Sequence, residues 1–337
     1  MNNNTQINRE ATAQSSAPKA NHTQCTILRP ATREEWLELR KHGIGSSEVA
    51  AILGLSPWCT PYQLWMIKKG LAEPKEETFA MRAGLYLEDA VSRFFSDATG
   101  HTIIKASGSN WIAIDPERPY LRVSPDRTYW LCDAKHNRTG KGICECKTTQ
   151  LKVDADCLPP HWLCQLQYQL GVTGLQHGAL AWLSQGRDFG YREVDFDPAY
   201  FEWMATEVTN FWHRFIEGNE VPDVTDVADV LLRNPRHTDG KVLVADDEML
   251  DAVKTINRIK PRISTLDSRK KDAEAAIKKR MGDAEVLMPK EGGKPLATWR
   301  TGKDRVSFNS KRFALDHPDL YEAYKVVKPG PRTFLVK

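Results

Sequence analysis

The part of the sequence that most constrains the fold is residues 111–196, where apolar side chains change from the period of a helix to the period of a strand. Short alternating segments bounded by turn residues predict six strands, at residues 111–114, 121–123, 127–131, 142–147, 179–183 and 191–196. Helical spacing predicts helices before, between and after them, at residues 78–98, 160–170 and 198–217. This order of elements predicts an α/β (α+β) core.

Helical signals also precede this region. Thr32 and Glu35 stand three residues apart, which is typical of a capping box at the start of a helix. The run Gly43-Ile-Gly-Ser-Ser47 breaks that helix, and a new helix is expected to begin at its serines. Residues 61–69 carry a further helical pattern.

Four segments are expected along the chain. Residues 1–26 are rich in Asn, Thr, Gln, Ser and Ala and contain no apolar run, which predicts a disordered tail and not a secretory signal. Residues 27–220 hold the core, and residues 221–245 predict a linker. Residues 246–337 form a basic C-terminal extension.

The extension carries the basic charge of the chain. The formal net charge of +3 divides into −5 over residues 1–240 and +8 over residues 241–337. A sparse apolar stripe up to residue 281 predicts a long helix or helical hairpin, kinked at Pro261, and the remainder predicts a small β-rich or α+β module. The charge asymmetry is typical of a chain that contacts a polyanion at one end, but a solvated basic face is an equal explanation.

Composition excludes several classes of protein. No stretch reaches the roughly 18 apolar residues that cross a bilayer, so no membrane association is expected. The seven scattered cysteines follow no signal sequence, which predicts free thiols in a reducing cytoplasm. Cys144 and Cys146 share one strand face but lack the Cys-x-x-Cys spacing of a metal cluster.

The strongest chemical signal is Ser124-Pro-Asp126, followed nineteen residues later by Glu145-Cys-Lys147. The period of two places Glu145 and Lys147 on one strand face and turns Cys146 into the core. Two carboxylates suit Mg²⁺ or Mn²⁺, and a neighbouring ammonium suits the activation of a metal-bound water. Hydrolysis of a phosphodiester needs these components.

An exposed ion pair is the plainer explanation of a Glu-x-Lys pair taken alone. Nearby residues favour a site. Glu88 lies on the preceding predicted helix, where it adds a third carboxylate. Gln165 and Tyr168 lie three residues apart on the helix that follows the strand, and so share a face.

These motifs, taken together, resemble a known family. Asp126 with Glu145-Cys-Lys147 resembles the PD-(D/E)xK nuclease motif. The whole series occurs in the order seen in the lambda-exonuclease-like, YqaJ-type viral recombinases, over residues 30–217: Arg40, Gly45-Ser-Ser-Glu-Val49, Gly84-Leu-Tyr-Leu-Glu88, Ser124-Pro-Asp126, Glu145-Cys-Lys147 and Gln165-Leu-Gln-Tyr168. The resemblance implies a restriction-endonuclease-like core with a mixed central sheet flanked by helices.

The resemblance also implies a role for each matched residue. The metal ligands would be Asp126, Glu145 and the backbone carbonyl of Cys146. The catalytic group would be Lys147, which positions or activates the water, supported by Glu88, Gln165 and Tyr168. The 5′-phosphate of DNA would be held by Arg40, Ser47 and Ser124. For Ser47, a plain helix N-cap is the alternative.

The activity implied by the family is 5′→3′ exonuclease digestion of linear double-stranded DNA, which leaves 3′ single strands for recombination by strand annealing. The family further implies Mg²⁺ (or Mn²⁺), with two ions per active site, a ring-shaped homotrimer and a single-strand annealing protein as partner. The expected location is the cytoplasm of a bacterial host, for a phage or prophage product.

Two other functions stay open: a PD-(D/E)xK endonuclease, and a non-catalytic DNA-binding or assembly protein with this fold. Arg40 and Ser47 favour an enzyme that requires a DNA end, and intact Asp126, Glu145 and Lys147 favour catalysis. About 100 residues follow the part that resembles the minimal enzyme, and DNA contact, protein contact and passive scaffolding are all open for them.

Overall fold

The computed structural model describes residues 25–72, 78–104, 111–328 and 330–337 and divides into two compact units, Met1–Arg233 and Asn234–Lys337. The helices of the first unit are α1 (Arg33–Lys41), α2 (Ser46–Ile52), α3 (Pro61–Lys68), α4 (Phe79–Thr99), α5 (Pro160–Thr173), α6 (Pro198–Phe211), which continues as a π-helical turn over Trp212–Glu217, and α7 (Val227–Arg233). Its strands are β1 (Thr26–Leu28), β2 (Thr102–Ile104), β3 (Ile112–Ile114), β4 (Arg122–Val123), β5 (Arg127–Cys132), β6 (Arg138–Thr149), β7 (His177–Ser184) and β8 (Asp188–Asp195).

The central sheet has the strand order β2-β5-β6-β7-β8. Its strands pair antiparallel except for β6 and β7, which run parallel and are connected through α5. The sheet is therefore mixed, as predicted. A second sheet, β1-β3-β4, is small and antiparallel.

Helices cover both faces of the central sheet, because each face presents buried apolar side chains to a helix. On one face, Val91 and Phe95 of α4 pack in a buried cluster with Cys144 and Cys146. On the other face, Ile143 packs with apolar side chains of α5. The predicted mixed sheet flanked by helices is thus confirmed.

The pairing of β5 with β6 stops before β6 ends. The last pair between them is Arg127 with Cys144, whereas β6 stays paired with β7 as far as Thr149 and Ser184. The strands separate at the start of β5, and one edge of β6 is left open there.

Helix α1 begins as the sequence predicts. Thr32 is its N-cap and accepts the Glu35 N–H at 3.2 Å, while the Glu35 carboxylate accepts the Ala31 N–H at 2.7 Å. Helix α2 differs, because its N-cap is Gly45, whose N–H donates to the Glu48 carboxylate at 2.7 Å. Ser47 is therefore the second helical residue, and its hydroxyl is available for another contact.

The predicted boundaries need two corrections. Most of the predicted tail lies outside the described residues, but Thr26 already pairs with Ile114 in β1. The predicted linker, residues 221–245, contains α7, which belongs to the first unit. The fully buried Asp229 carboxylate anchors this helix by accepting hydrogen bonds at 2.9 Å from Thr60 Oγ1 and Gln63 Nε2.

The second unit consists of one long helix and short elements. These are α8 (Asp247–Met281), β9 (Val286–Leu287), β10 (Ala297–Thr298), α9 (Ser310–Asp316) and α10 (Pro318–Ala323). Pro261 lies inside α8, so this segment is one helix and not a hairpin. β9 and β10 pair antiparallel and precede the two short helices. Over the described residues, no helix is long and apolar enough to cross a membrane.

Gly171 lets α5 approach α6 closely, and we predict that Gly171→Ala destabilises the first unit. A Cβ there would lie 2.1 Å from the Phe201 ring, so the helices would have to separate. We expect the free energy of unfolding, measured in urea, to fall by about 1–3 kcal/mol. Gly84→Ala on α4 is the control, because its Cβ would meet only Thr148 Oγ1 at 3.6 Å. A neutral Gly171→Ala would contradict this packing.

Candidate active site

Asp126 lies at the point where β5 and β6 separate. Its Oδ2 accepts the backbone N–H of Cys146 at 2.8 Å, a position that a β5 residue would occupy if the pairing continued. Because the N–H and C=O of one strand residue point to the same side, the Cys146 carbonyl also faces this opening. The residue order of the sequence thus places two oxygen groups at one edge of β6.

Glu145 is held by donors on both carboxylate oxygens. Its Oε1 accepts hydrogen bonds from Lys147 Nζ at 2.7 Å and from Gln165 Nε2 at 2.5 Å. Its Oε2 accepts one from Gln169 Nε2 at 2.8 Å. Lys147 also donates to Gln165 Oε1 at 2.7 Å. Since Glu145 is only 2% exposed, this network replaces the water that an ionised carboxylate needs.

A third carboxylate, Glu88, reaches the site from α4. Its Oε2 lies 3.3 Å from Arg127 Nη1, and the same Arg127 nitrogen donates to the Asp126 carbonyl at 2.7 Å. Burial raises the pKa of Glu88, the charge of Glu145 raises it further, and Arg127 partly offsets both. The helix carboxylate predicted from the sequence therefore interacts electrostatically with the strand carboxylates.

The three carboxylates of the site repel one another. Burial raises the pKa of Asp126 well above its ordinary value, and the charges of Glu145 and Glu88 raise it further. Burial by itself lowers the pKa of Lys147, but the carboxylates of Glu145 and Asp126 outweigh it, so the net shift is upward. Lys147 is accordingly an ammonium that supplies positive charge beside Glu145.

The donor set suits a hard divalent cation. The described residues contain no group of three or more His, Cys, Asp or Glu side chains positioned to enclose an ion. The Asp126 and Glu145 carboxylates and the Cys146 carbonyl are, however, the oxygen ligands that Mg²⁺ and Mn²⁺ take, commonly together with water and substrate phosphate. The carboxylate repulsion that raises the pKa of Asp126 is also the repulsion that a cation relieves.

The predicted phosphate-binding residues form a second cluster. Arg40 Nη2 donates to Ser47 Oγ at 3.2 Å, and the Arg40 guanidinium lies 4.7 Å from the centre of the Trp36 ring. Trp36 Nε1 donates in turn to Ser124 Oγ at 3.2 Å. Trp36 thus connects Arg40 to Ser124, and the three predicted residues come together although 84 positions separate the first from the last in sequence.

The two clusters line adjoining cavities of about 490 and 400 Å³. Arg40, Ser47 and Ser124 line the first cavity, and Glu145 and Lys147 line the second. Residues shared by both cavities are Arg33, Trp36, Leu85, Glu88 and Asp126. The shared walls make the two cavities parts of one cleft.

The structure does not bring Tyr168 into this cleft. Its side chain is fully buried in an apolar cluster, and its hydroxyl donates to the Ile44 carbonyl at 3.3 Å. The prediction placed Gln165 and Tyr168 on one face at a spacing of three. In α5 it is the spacing of four, Gln165 and Gln169, that meets Glu145, and a helix turn of 3.6 residues allows either choice.

Sequence reasoning missed Gln169, which is buried against Glu145, and Trp36, which lines the cleft. Both lie four positions from a predicted residue on the same helix, Gln165 for the first and Arg40 for the second. That spacing was the available signal. What it does not show is which of several neighbours on a helix face the tertiary fold brings to the site.

We predict that Asp126→Asn stabilises the metal-free protein at neutral pH. A carboxyl whose folded pKa is raised contributes full stability below its unfolded pKa, near 3.8, and loses it as the pH rises through the folded pKa. Asparagine does not ionise, so the variant avoids this loss of stability, which amounts to about 1.4 kcal/mol for each unit by which folding raises the pKa. The gain in the urea-derived free energy of unfolding should therefore be larger at pH 8 than at pH 5.

The matched control is Asp133→Asn, because hydrogen bonds from Asn137 and Lys135 lower the pKa of Asp133. Its substitution should not stabilise the protein at pH 8. Added Mg²⁺ should stabilise the wild type and reduce the difference in the free energy of unfolding between the wild type and Asp126→Asn. If that difference in the free energy of unfolding changes with neither pH nor Mg²⁺, the electrostatic description of the site is wrong.

Comparison with solved structures gives matches at low similarity. An alkaline exonuclease from Laribacter hongkongensis shares 20% sequence identity at a TM-score of 0.43, over 55% of this chain and 93% of that chain. A phage-related exonuclease from Haemophilus somnus 129PT shares 10% identity at a TM-score of 0.37, over 52% of this chain and 95% of that one.

Comparison with protein sequences gives a relative over most of the chain. The uncharacterized protein YqaJ of Bacillus subtilis (strain 168) is 29% identical over 307 residues, which are 87% of this chain and 91% of the relative. A match of that length extends past the first unit, which ends at Arg233. The model of the YqaJ-like viral recombinase domain matches residues 35–176, the segment that contains the cleft from Trp36 to Gln169. Residues 35–176 of this chain are therefore similar to the YqaJ-like viral recombinase domain, the family that the sequence motifs resemble.

Proposed function

We propose that the protein is a metal-dependent 5′→3′ exonuclease that degrades one strand of linear double-stranded DNA. The observation that carries this proposal is the common cleft of two clusters. One cluster, Asp126, Glu145 and Lys147, has the groups that hydrolyse a phosphodiester. The other, Arg40, Ser47 and Ser124, has the groups that bind a terminal phosphate.

Asp126, Glu145 and the Cys146 carbonyl would hold Mg²⁺ or Mn²⁺, two ions by the family pattern. The metal would supply a Lewis acid for the phosphate and lower the pKa of water. Lys147 would orient the attacking water and offset negative charge that develops in the transition state. Gln165, which contacts both Lys147 and Glu145, would fix the direction of the ammonium. Glu88 would add negative charge that strengthens cation binding.

Selection of a DNA end follows from the second cluster. The planar Arg40 guanidinium suits a phosphate with two free oxygens, and Ser47 adds a neutral donor in the first turn of α2. The Trp36 ring under Arg40 limits its rotation, which lowers the entropy lost when a phosphate binds. An end held at this cluster would present the adjoining phosphodiester to the carboxylates in the same cleft.

Recombination is the process that this activity would serve. Removal of one strand leaves a 3′ single strand, which a single-strand annealing protein can pair with a complementary sequence. The family of the domain, a viral recombinase, supports this role. A homotrimeric ring around the duplex and a cytoplasmic location in a bacterial host of a phage or prophage are parts of the same proposal.

We predict that Lys147→Ala abolishes cleavage and leaves DNA binding intact. The loss of the ammonium beside Glu145 should lower the rate on linear duplex with Mg²⁺ by roughly 100-fold or more. Lys141→Ala is the matched control, because Lys141 lies on the same strand and is exposed, with its ammonium over the Trp130 ring. The measurement is release of nucleotides from end-labelled DNA, with EDTA as the metal-free reference.

Cleavage by Lys147→Ala at the wild-type rate would overturn the assignment of the site. Absence of cleavage in the wild type, with stable DNA binding, would favour the non-catalytic DNA-binding protein.

We predict further that Arg40→Gln removes the preference for a phosphorylated end. The wild type should digest 5′-phosphorylated linear duplex faster than 5′-hydroxyl duplex, and Arg40→Gln should reduce that ratio by about tenfold, the value of one charge-assisted hydrogen bond. Arg93→Gln is the control, because Arg93 is exposed on α4 and pairs with Asp89. Cleavage of closed circular duplex by the wild type would instead support the endonuclease alternative.

A further inference from the structure

We propose that Gln169 is a positioning residue that links the phosphate-binding end of the cleft to the metal-binding carboxylate Glu145, an inference that rests on the proposed function. Through this link, a 5′-phosphate at the start of α2 would strengthen metal binding at Glu145. The link consists of two hydrogen bonds that Gln169 donates, one to Ser46 and one to Glu145.

The contacts of Gln169 are direct and buried. Its side chain is fully buried, and Nε2 donates to Ser46 Oγ at 3.1 Å and to Glu145 Oε2 at 2.8 Å. The orientation of the amide follows from chemistry, because an ionised carboxylate only accepts hydrogen bonds and a flipped amide would place an oxygen against it. Both N–H groups of one amide thus connect two different elements.

Glu145 is held differently on its two oxygens. Lys147 and Gln165 share Oε1, and neither is fully buried, so these donors can move when substrate or a cation enters the cleft. Gln169 is the donor to Oε2 and lies in the closed interior. The orientation of the carboxylate therefore depends on Gln169 more than on the other two.

Ser46 connects this bond to the phosphate end. It is the first residue of α2 and 5% exposed, and the next residue, Ser47, accepts the hydrogen bond from Arg40. Ser46 and Ser47 line the same cavity. A phosphate that fixes Ser47 and Arg40 would also fix the first turn of α2, and with it the acceptor of one Gln169 N–H group.

The remaining atom of the amide supports a functional role. Gln169 Oε1 is buried, and the described residues provide no hydrogen-bond partner for it. An unpaired buried acceptor destabilises a fold, so a glutamine retained here for stability alone would be a poor choice. Its two N–H groups account for its presence.

The predicted consequence is coupling between two ligands. If a 5′-phosphate raises the affinity for metal, metal must raise the affinity for the 5′-phosphate by the same factor. The test measures Mn²⁺ affinity by electron paramagnetic resonance, with and without short duplexes whose terminal linkages are uncleavable methylphosphonates. One duplex carries a 5′-phosphate and the other a 5′-hydroxyl.

The chain offers a matched control for Gln169→Met in Gln167→Met. Gln167 lies on the same helix, is 4% exposed, donates to the Asp195 carbonyl at 2.8 Å and accepts the Asp197 N–H at 2.8 Å. The Gln167→Met variant therefore loses two buried hydrogen bonds, neither of which involves Glu145. A third variant, Ser46→Ala, keeps the bond from Gln169 to Glu145 and removes only its connection to α2.

In the wild type and in Gln167→Met, the 5′-phosphate should raise Mn²⁺ affinity about fivefold or more. Gln169→Met should lower Mn²⁺ affinity about tenfold and abolish the effect of the phosphate. Ser46→Ala should keep most of the Mn²⁺ affinity and lose the effect of the phosphate.

Wild-type coupling in Gln169→Met, or an equal loss in Gln167→Met, would overturn the proposal. If the wild type shows the coupling but digests no linear duplex, the proposed exonuclease activity is wrong and the proposed role of Gln169 stands. A wild type that binds no Mn²⁺ would overturn both.

Discussion

The hydrogen bond from the Cys146 N–H to Asp126 is the contact on which the site depends. It forms where β5 leaves β6, after the pair Arg127 and Cys144, so the Asp126 side chain replaces a backbone partner that the sheet no longer provides. This replacement satisfies a strand edge that would otherwise be unpaired, and it also fixes a carboxylate beside Glu145 and Lys147. The same geometry therefore ends the pairing and builds the site, and a register shift of one residue would turn Glu145 and Lys147 to the opposite face of the sheet.

The ionised carboxylates of this site destabilise the fold. Burial and the charges of Glu145 and Glu88 raise the pKa of Asp126, so ionisation at neutral pH opposes folding. The protein withstands this because the elements around the opening are packed independently of it. The cluster of Val91 and Phe95 with strand cysteines on one face, and that of Ile143 with α5 on the other, exclude water without any charged group. A rigid apolar support thus permits a concentration of negative charge that a cation would relieve.

How much could be predicted depends on the range over which each signal acts. The period of two in β6 placed Glu145, Cys146 and Lys147 correctly, because strand faces follow from local geometry. The helix α5 was placed correctly too, but Tyr168 was assigned to the site, whereas it lies in the core and Gln169 meets Glu145. A helix offers neighbours at both three and four residues, and only the direction in which α5 crosses the sheet decides between them. Helix α7 was predicted to be part of a linker because a tertiary contact holds it in place. Asp229 accepts hydrogen bonds from Thr60 and Gln63, which are distant in sequence.

The charge of the second unit has an explanation that does not require nucleic acid. Helix α8 is 35 residues long, and of its residues only Met281 is buried, so a polar sequence is what keeps such a surface soluble. Lys278, Lys279 and Arg280 occupy its last turn, where cations are favoured by the helix dipole. Glu274 lies near Lys270 and Lys278 at helical spacing. Net charge is therefore weak evidence for what this unit binds, just as the net of −5 over residues 1–240 is weak evidence against DNA binding by the first unit. The placement of Arg40 against Ser47, and of Lys147 against Glu145, is stronger evidence about the ligand of the cleft than the net charge is.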